Sequence, residues 1–235
     1  MALPKLTTPE YEMELPSTGE TIKYRPFLVK EQKILLMAQE SNNNKQIANA
    51  MGKLVFECTF GEVDLKVNPM FDIEYVFLKI RSKSVGETVE LTLICPDDDE
   101  TKVQHKVNLE EILVQIKEEH TNEIQLTDDI KITFRYPLMD DMTNMPDKMN
   151  QTQTIFHFLT NCIVSIDDGD TIHNKVDVSK KELDDFIDSF TGEQFENVTG
   201  FFESMPKLRH SFEVTNPVTK VKSEIVLEGL ESFLG

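Results

Sequence analysis

One pattern of elements occurs twice in this chain of 235 residues. Residues 71–114 contain an aromatic-rich helical segment, two strand-like segments joined by a turn with Pro96, and a short helical segment. Residues 195–234 repeat this order, with Pro217 in the corresponding turn. Either a helix–hairpin–helix unit is duplicated, or both segments show the common pattern of a helix followed by a hairpin. A true duplication predicts that the two segments superimpose, with Pro96 on Pro217.

Alternation and helical periodicity predict the other elements. Residues 10–25 alternate around a turn and predict an opening β-hairpin, which two amphipathic helices follow. Two capping boxes, Ser179 with Glu182 and Thr191 with Gln194, predict the starts of two successive helices. We therefore predict an α+β fold of short antiparallel β-hairpins interleaved with amphipathic helices, with a repeated helix–hairpin–helix unit.

Residues 137–154 are the predicted linker between two regions. This segment contains two prolines, four methionines and several aspartates without a clear period. A chain of this length suffices for one large domain or two small ones. We therefore expect an N-terminal α+β region at 1–136 and a C-terminal α+β region at 155–235.

The charge of the chain limits its partners. Its 42 acidic and 24 basic residues give a net charge of −18, which repels phosphate backbones, so we expect no nucleic-acid partner. No apolar run is long enough for a transmembrane helix, and the first residues lack a signal-peptide pattern, so we expect no membrane partner. Three widely spaced cysteines, Cys58, Cys95 and Cys162, fit a reducing cytosol.

No residue pattern supports catalysis or cofactor binding. The common nucleophile-elbow and phosphate-loop motifs are absent, and the five histidines lack metal-ligand spacing. Asp167, Asp168 and Asp170 around Gly169 could offer oxygen ligands to calcium, but an Asp-Gly turn explains the same residues. Cys95 lacks the second cysteine of a zinc knuckle. We expect no catalytic residue, no cofactor, no metal and no small-molecule substrate.

A local basic stretch is the first candidate for binding a protein partner. Lys23, Arg25, Lys30 and Lys33 lie close together, with Lys5 upstream. Complementary charge steers docking and sets its register, so on an acidic chain this stretch predicts a partner surface that includes Arg25 and Lys30. An ordinary solvated helix face explains the same residues.

Phe201 is the second candidate. Phe195 and Phe202 lie seven residues apart and share one helical face, whereas Phe201 is rotated by about 100° from Phe202. Either the apolar face of this helix is wide and buried, or Phe201 is exposed and anchors a partner.

Three segments resemble the baseplate hub assembly family of T-even-like contractile-tailed phages. They are LPKLTTPEYEMELPSTGETIKYRPFLVKEQKILLMAQES, PMFDIEYVFLKIRSKSVGE and FFESMPKLRHSFEVTNPVTKVKSEIVLEGL. The resemblance covers 1–135 and 180–235, and YRPFLVKEQKILL followed by FDIEYVFLKIRSKS is its most specific part. It implies a late phage protein, made in the host cytoplasm, that helps to build the central hub of the tail baseplate with other hub proteins. It carries over no catalytic residue.

The sequence thus favours a hub assembly or scaffolding factor that acts through protein–protein contacts and is not an enzyme. One alternative is a structural hub subunit that stays in the virion baseplate instead of leaving as a chaperone would. The other alternative is a metal-binding or hydrolytic hub enzyme centred on residues 167–170.

Overall fold

The computed structural model describes residues 6–41, 43–146 and 148–233, which form seven α-helices and eleven β-strands. This confirms the predicted α+β class. The chain divides into two compact units, one formed by Met1–Gln115 with Lys207–Gly235 and the other by Ile116–Pro206. Among the described residues, no helix has both the length and the apolar character needed to cross a membrane.

The elements follow one another in three stretches of the chain. The first stretch contains β1 (Tyr11–Glu14), β2 (Thr21–Tyr24), α1 (Val29–Glu40), α2 (Asn44–Cys58), α3 (Met70–Val85), β3 (Thr88–Ile94), β4 (Lys102–Asn108), a 3₁₀ turn (Leu109–Glu111) and β5 (Leu113–Gln115). The second unit contains β6 (Glu123–Gln125), β7 (Lys131–Phe134), α4 (Met139–Thr143), α5 (Gln151–Cys162), β8 (Ile163–Asp167), β9 (Ile172–Asn174), a 3₁₀ turn (Lys175–Asp177), α6 (Lys180–Asp188) and α7 (Gly192–Ser204). The chain then returns to the first unit with β10 (Lys207–Thr215), β11 (Lys222–Glu228) and a 3₁₀ turn (Leu230–Phe233).

The predicted domain regions do not coincide with these two units. Segment 137–154, predicted as a linker, lies inside the second unit, where it forms α4 and the start of α5. Its residues are used in packing and helix starts, since Met139 is 2% exposed and the Asp141 carboxylate accepts from the Leu138 N–H at 2.8 Å. The predicted regions 1–136 and 155–235 therefore each contain parts of both units.

All strand pairs are antiparallel and form four small sheets, β1–β2, β3–β4, β11–β10–β5 and β6–β7–β8–β9. Helix α3 supplies much of the core of the first unit, because Ile73, Val76, Leu78 and Ile80 are all fully buried. A helix that is apolar on nearly every side must be covered on nearly every side. The second unit has its own core around Phe134 on β7 and Phe201 on α7.

The two predicted repeat segments share a turn of the same construction. In the first hairpin, the Cys95 N–H donates to the Thr101 carbonyl at 2.8 Å, and in the second the Asn216 N–H donates to the Val221 carbonyl at 2.9 Å. Each of these two residues is followed by a proline, as the sequence showed. The first turn is one residue longer than the second.

A positive backbone φ angle recurs at the same place in both turns. Asp99 has φ 55° and Lys220 has φ 65°, a region that residues other than glycine seldom adopt. Their N–H groups each donate at 3.0 Å to the carbonyl four residues earlier, which belongs to Cys95 and Asn216 respectively. The two hairpins therefore have the same local turn structure. The helices that precede them differ in position, because α3 lies in the first unit with both hairpins, whereas α7 lies in the second unit.

One carboxyl group of the first unit gives the fold a pH dependence. Burial and, as the smaller cause, the negative charge of Glu231 together raise the pKa of Glu74 on α3 from its ordinary value of 4.5 to about 7. The folded state therefore binds this proton more tightly than the unfolded state does. The resulting stability is fully present below pH 4.5 and is lost as the pH rises through 7.

We expect Glu74→Gln to stabilise the protein at pH 8 by about 3 kcal/mol and to change its stability little at pH 4, because one pKa unit corresponds to about 1.4 kcal/mol. Thermal unfolding of both proteins at the two pH values measures this. Replacing exposed Glu231 by glutamine is the matched control and should give a smaller gain. An equal effect of Glu74→Gln at both pH values would contradict the assignment.

Candidate protein-binding surface on helix α1

Helix α1 turns apolar side chains toward solvent. Val29, Leu36 and Met37 are 79%, 52% and 61% exposed. The buried residues of this twelve-residue helix are Glu31 and Ala38, which lie on its opposite side. A surface helix ordinarily buries its apolar stripe and exposes its charges. In α1 a glutamate is buried and four apolar side chains are exposed, since Ile34 is exposed as well, and this is typical of a surface that a partner covers.

Two charged residues complete this surface. We define the outer face of α1 as Val29, Lys33, Leu36, Met37 and Glu40, whose side chains lie within about 100° of arc at 3.6 residues per turn. Lys33 and Glu40 are exposed, and neither forms an ion pair with another described residue. The outer face is therefore a short apolar strip with one free charge of each sign.

A buried ion pair holds α1 against the hairpin that precedes it. The Arg25 Nη2 atom lies 2.9 Å from the Glu31 Oε1 atom, and the Arg25 Nη1 atom donates to the Pro26 carbonyl at 3.0 Å. The other Glu31 oxygen accepts from the Leu28 N–H at 2.8 Å. These contacts join the end of β2 to the first turn of α1 and fix the direction in which the helix leaves the hairpin.

The ion pair keeps Glu31 charged. Burial by itself would raise the pKa of Glu31, but the hydrogen bonds from Arg25, from the Leu28 N–H and from Lys30 outweigh burial and lower the pKa below its ordinary value. The Lys30 ammonium lies 3.1 Å from the same carboxylate at the edge of the helix.

The structure separates the two basic residues that were predicted to bind a partner. The side chain of Lys30 is 65% exposed, whereas that of Arg25 is 12% exposed and is bound to Glu31. The premise that both charges face solvent is therefore wrong for Arg25, because the packing of α1 encloses the end of β2. Lys5 lies outside the described residues.

A second arginine in the chain makes the same contacts. The Arg135 guanidinium binds Asp141, also six residues later, at 2.7 and 2.9 Å. The Arg135 N–H donates to the Cys162 carbonyl at 2.8 Å, as the Arg25 N–H does to the Cys58 carbonyl at 2.9 Å. Cys58 is the last residue of α2, and Cys162 is the last residue of α5. Each of these helices follows a short hairpin and one intervening helix, which is α1 in the first case and α4 in the second.

This correspondence was missed in the sequence because RPFLVKE and RYPLMDD share only an arginine, a nearby proline, a leucine three residues after the arginine and a final acid. The equal spacing from arginine to acid was the available signal. The recurrence indicates that Arg25 has a structural role, and that the likeness between the two parts of the chain begins upstream of the predicted repeat.

Phe201 lies in the core of the second unit. It is 1% exposed, and its ring centroid lies 5.2 Å from that of Phe134, 5.8 Å from that of Tyr136 and 5.2 Å from that of His120. Phe202 also packs on Phe134, with centroids 5.9 Å apart. The wide buried face is therefore the correct alternative for α7, and the prediction that Phe201 anchors a partner is wrong.

The aspartates considered as a metal centre are engaged in a turn. The Asp168 carboxylate accepts from the Asp170 and Thr171 N–H groups at 3.1 and 2.7 Å and lies 2.9 Å from the His173 Nε2 atom. These contacts lower the pKa of Asp168, with the His173 hydrogen bond as the largest cause. In the described parts of the chain, no group of three or more histidine, cysteine or acidic side chains could hold a metal ion.

The second unit has a cleft of about 480 Å³ between α5 and α6, with Phe156 and Leu183 in its wall. Two of the polar side chains in its wall are bonded within the chain. Lys175 Nζ donates to the Asn161 carbonyl at 2.5 Å, and the His157 ring bonds to the backbone carbonyl of Asp141 at 3.1 Å. These two groups are therefore engaged in holding the fold.

Comparison with known proteins identifies a family. The family model described as T4 bacteriophage base plate protein matches residues 8–235, which is nearly the whole chain. Neither the curated proteins nor the solved structures provide a match.

Proposed function

The chain belongs to the T4 bacteriophage base plate protein family, and from this premise we propose that it is an assembly or scaffolding factor for the hub of the phage baseplate. Membership of this family implies contacts with other phage baseplate proteins. The specific role in hub assembly rests on the resemblance of residues 1–135 and 180–235 to hub assembly proteins. The proposed place of action is the host cytoplasm, where the tail is put together.

The outer face of α1 is the observation that carries this proposal. Interfaces between proteins have an apolar centre with charges at the rim, and the outer face has this composition. Its position is fixed by the Arg25–Glu31 pair, so a partner would meet a helix that is already oriented. A preoriented surface loses less conformational entropy on binding than a mobile one.

We expect Leu36→Asp to abolish function without unfolding the protein, because a charge at an exposed apolar centre opposes docking but removes no core contact. The measurement is plaque formation by a phage that lacks this gene and receives the variant from a plasmid in the host. Val176→Asp, at a residue that is 91% exposed in the second unit, is the matched control and should support plaques. Normal plaque formation with Leu36→Asp would remove the outer face of α1 from the proposal.

We further propose that the protein works without catalysis and without a bound metal, which the bonding of Asp168 within its own turn supports. Elemental analysis of the purified protein should find zinc and calcium well below one equivalent. A stoichiometric metal that Asp168→Ala or Cys95→Ala removes would instead favour the metal-dependent hub enzyme.

A structural subunit that stays in the particle is the second candidate, and the family description favours it because it names the base plate itself. Immunoblotting of purified virions separates the two functions. Absence of the protein from virions would support an assembly factor that is released, and a fixed number of copies in each virion would support a hub subunit.

A further inference from the structure

The order of charges along the outer face of α1 is the reverse of what the helix itself favours. Lys33 lies in the first half of α1 and Glu40 is its last residue, and no basic residue occupies the last turn. The helix dipole favours negative side chains near the N-terminus and positive side chains near the C-terminus. Neither charge is neutralised by another described residue. A partner with the opposite order of charges would satisfy both.

A second α1 in the antiparallel direction has that order. We propose that two copies of this chain form a dimer in which their α1 helices pack antiparallel through the outer face. A twofold axis between Leu36 and Met37 places Lys33 of each copy opposite Glu40 of the other, and Leu36 opposite Met37. This proposal rests on the proposed function, which assigns the same face to protein contacts.

The geometry of the helix makes this arrangement self-complementary. Lys33 and Glu40 are seven residues apart, which is about 10.5 Å along the axis, so the two ion pairs flank the apolar centre. The same surface meets itself, as a twofold interface requires. Antiparallel packing also brings the N-terminal end of each helix dipole next to the C-terminal end of the other.

The dimer depends on concentration, because two helix faces bury less than the roughly 1,200 Å² at the lower limit of stable interfaces. Sedimentation equilibrium of the full chain, from micromolar to near-millimolar concentrations, should show a reversible monomer–dimer equilibrium. Leu36→Asp should give a monomer throughout this range. Lys181→Glu, an exposed charge reversal on α6 in the second unit, is the control and should leave the equilibrium unchanged.

Charge reversal on the outer face tests the antiparallel register. Lys33→Glu and Glu40→Lys should each weaken the dimer by about tenfold, because each change reverses two symmetry-related pairs. The double variant with both changes should dimerise as tightly as the wild type, since the pairs are restored with their signs exchanged. A mixture of the wild type with the double variant should form few heterodimers, because like charges would then meet at both ends.

Each other outcome overturns the dimer. A wild-type protein that stays monomeric at every concentration contradicts the dimer. If Leu36→Asp then also fails to support plaques, the outer face binds a different baseplate protein and the proposed function stands. A dimer that survives Leu36→Asp uses another surface. Single charge reversals that the double variant does not rescue contradict the antiparallel register.

Discussion

Replacing Phe201 by alanine should lower the free energy of unfolding by about 3–5 kcal/mol, the usual cost of removing a buried aromatic ring. The ring is fully enclosed and contacts four other rings, so the variant loses both buried area and ring contacts. Urea unfolding followed by circular dichroism measures the loss. Because Phe201 lies in the second unit, amide hydrogen exchange should accelerate mainly within residues 116–206.

Phe56→Ala is the matched control for this variant, because Phe56 on α2 is 40% exposed. Its truncation should cost much less than that of Phe201. Unchanged stability of Phe201→Ala would contradict the burial of this ring and would restore its role as a partner anchor if hub assembly also failed.

Arg25→Ala should cost about 3–5 kcal/mol, because it leaves the Glu31 carboxylate buried without its main partner. Lys30→Ala is the matched control on the same carboxylate, and should change stability within about 0.5 kcal/mol because Lys30 is largely exposed. Chemical denaturation of the two variants at pH 7 provides the comparison. Equal losses for the two variants would contradict the structural role of Arg25.

The cost of Arg25→Ala should also shrink in acid. The pKa of Glu31 is lowered in the folded protein, so the stability from its contacts is present above the ordinary pKa of 4.5 and is lost as the pH falls through the folded value. Below that value Glu31 is neutral, and the loss of its arginine partner matters less. Denaturation of the wild type and of Arg25→Ala at successively lower pH tests whether the difference in their stability shrinks in acid.

The local features of this fold could be predicted from the sequence. The capping boxes at Ser179 and Thr191 form as expected, because each depends on contacts within four residues. The two hairpins follow equally local turn chemistry. The division into units could not be predicted, because it depends on Lys207 on β10 pairing with Gln115 on β5 across the whole second unit.

The candidate surface was only partly predictable for a similar reason. The basic stretch includes part of α1, but burial separates Arg25 from Lys30, and burial depends on how α1 packs. The exposed strip of Val29, Leu36 and Met37 could not be recognised in advance, because apolar residues on a helix predict a buried side unless the packing is known.

The return of the chain from the second unit to the first has a consequence for synthesis on the ribosome. The second unit is complete once residue 206 has emerged, and it can fold while the remainder is still being translated. The first unit cannot be completed at that stage, since β5 has no partner and α3 lacks its contacts with β10 until the last strands are made. The second unit can therefore be complete before the first, although the first unit begins earlier in the chain.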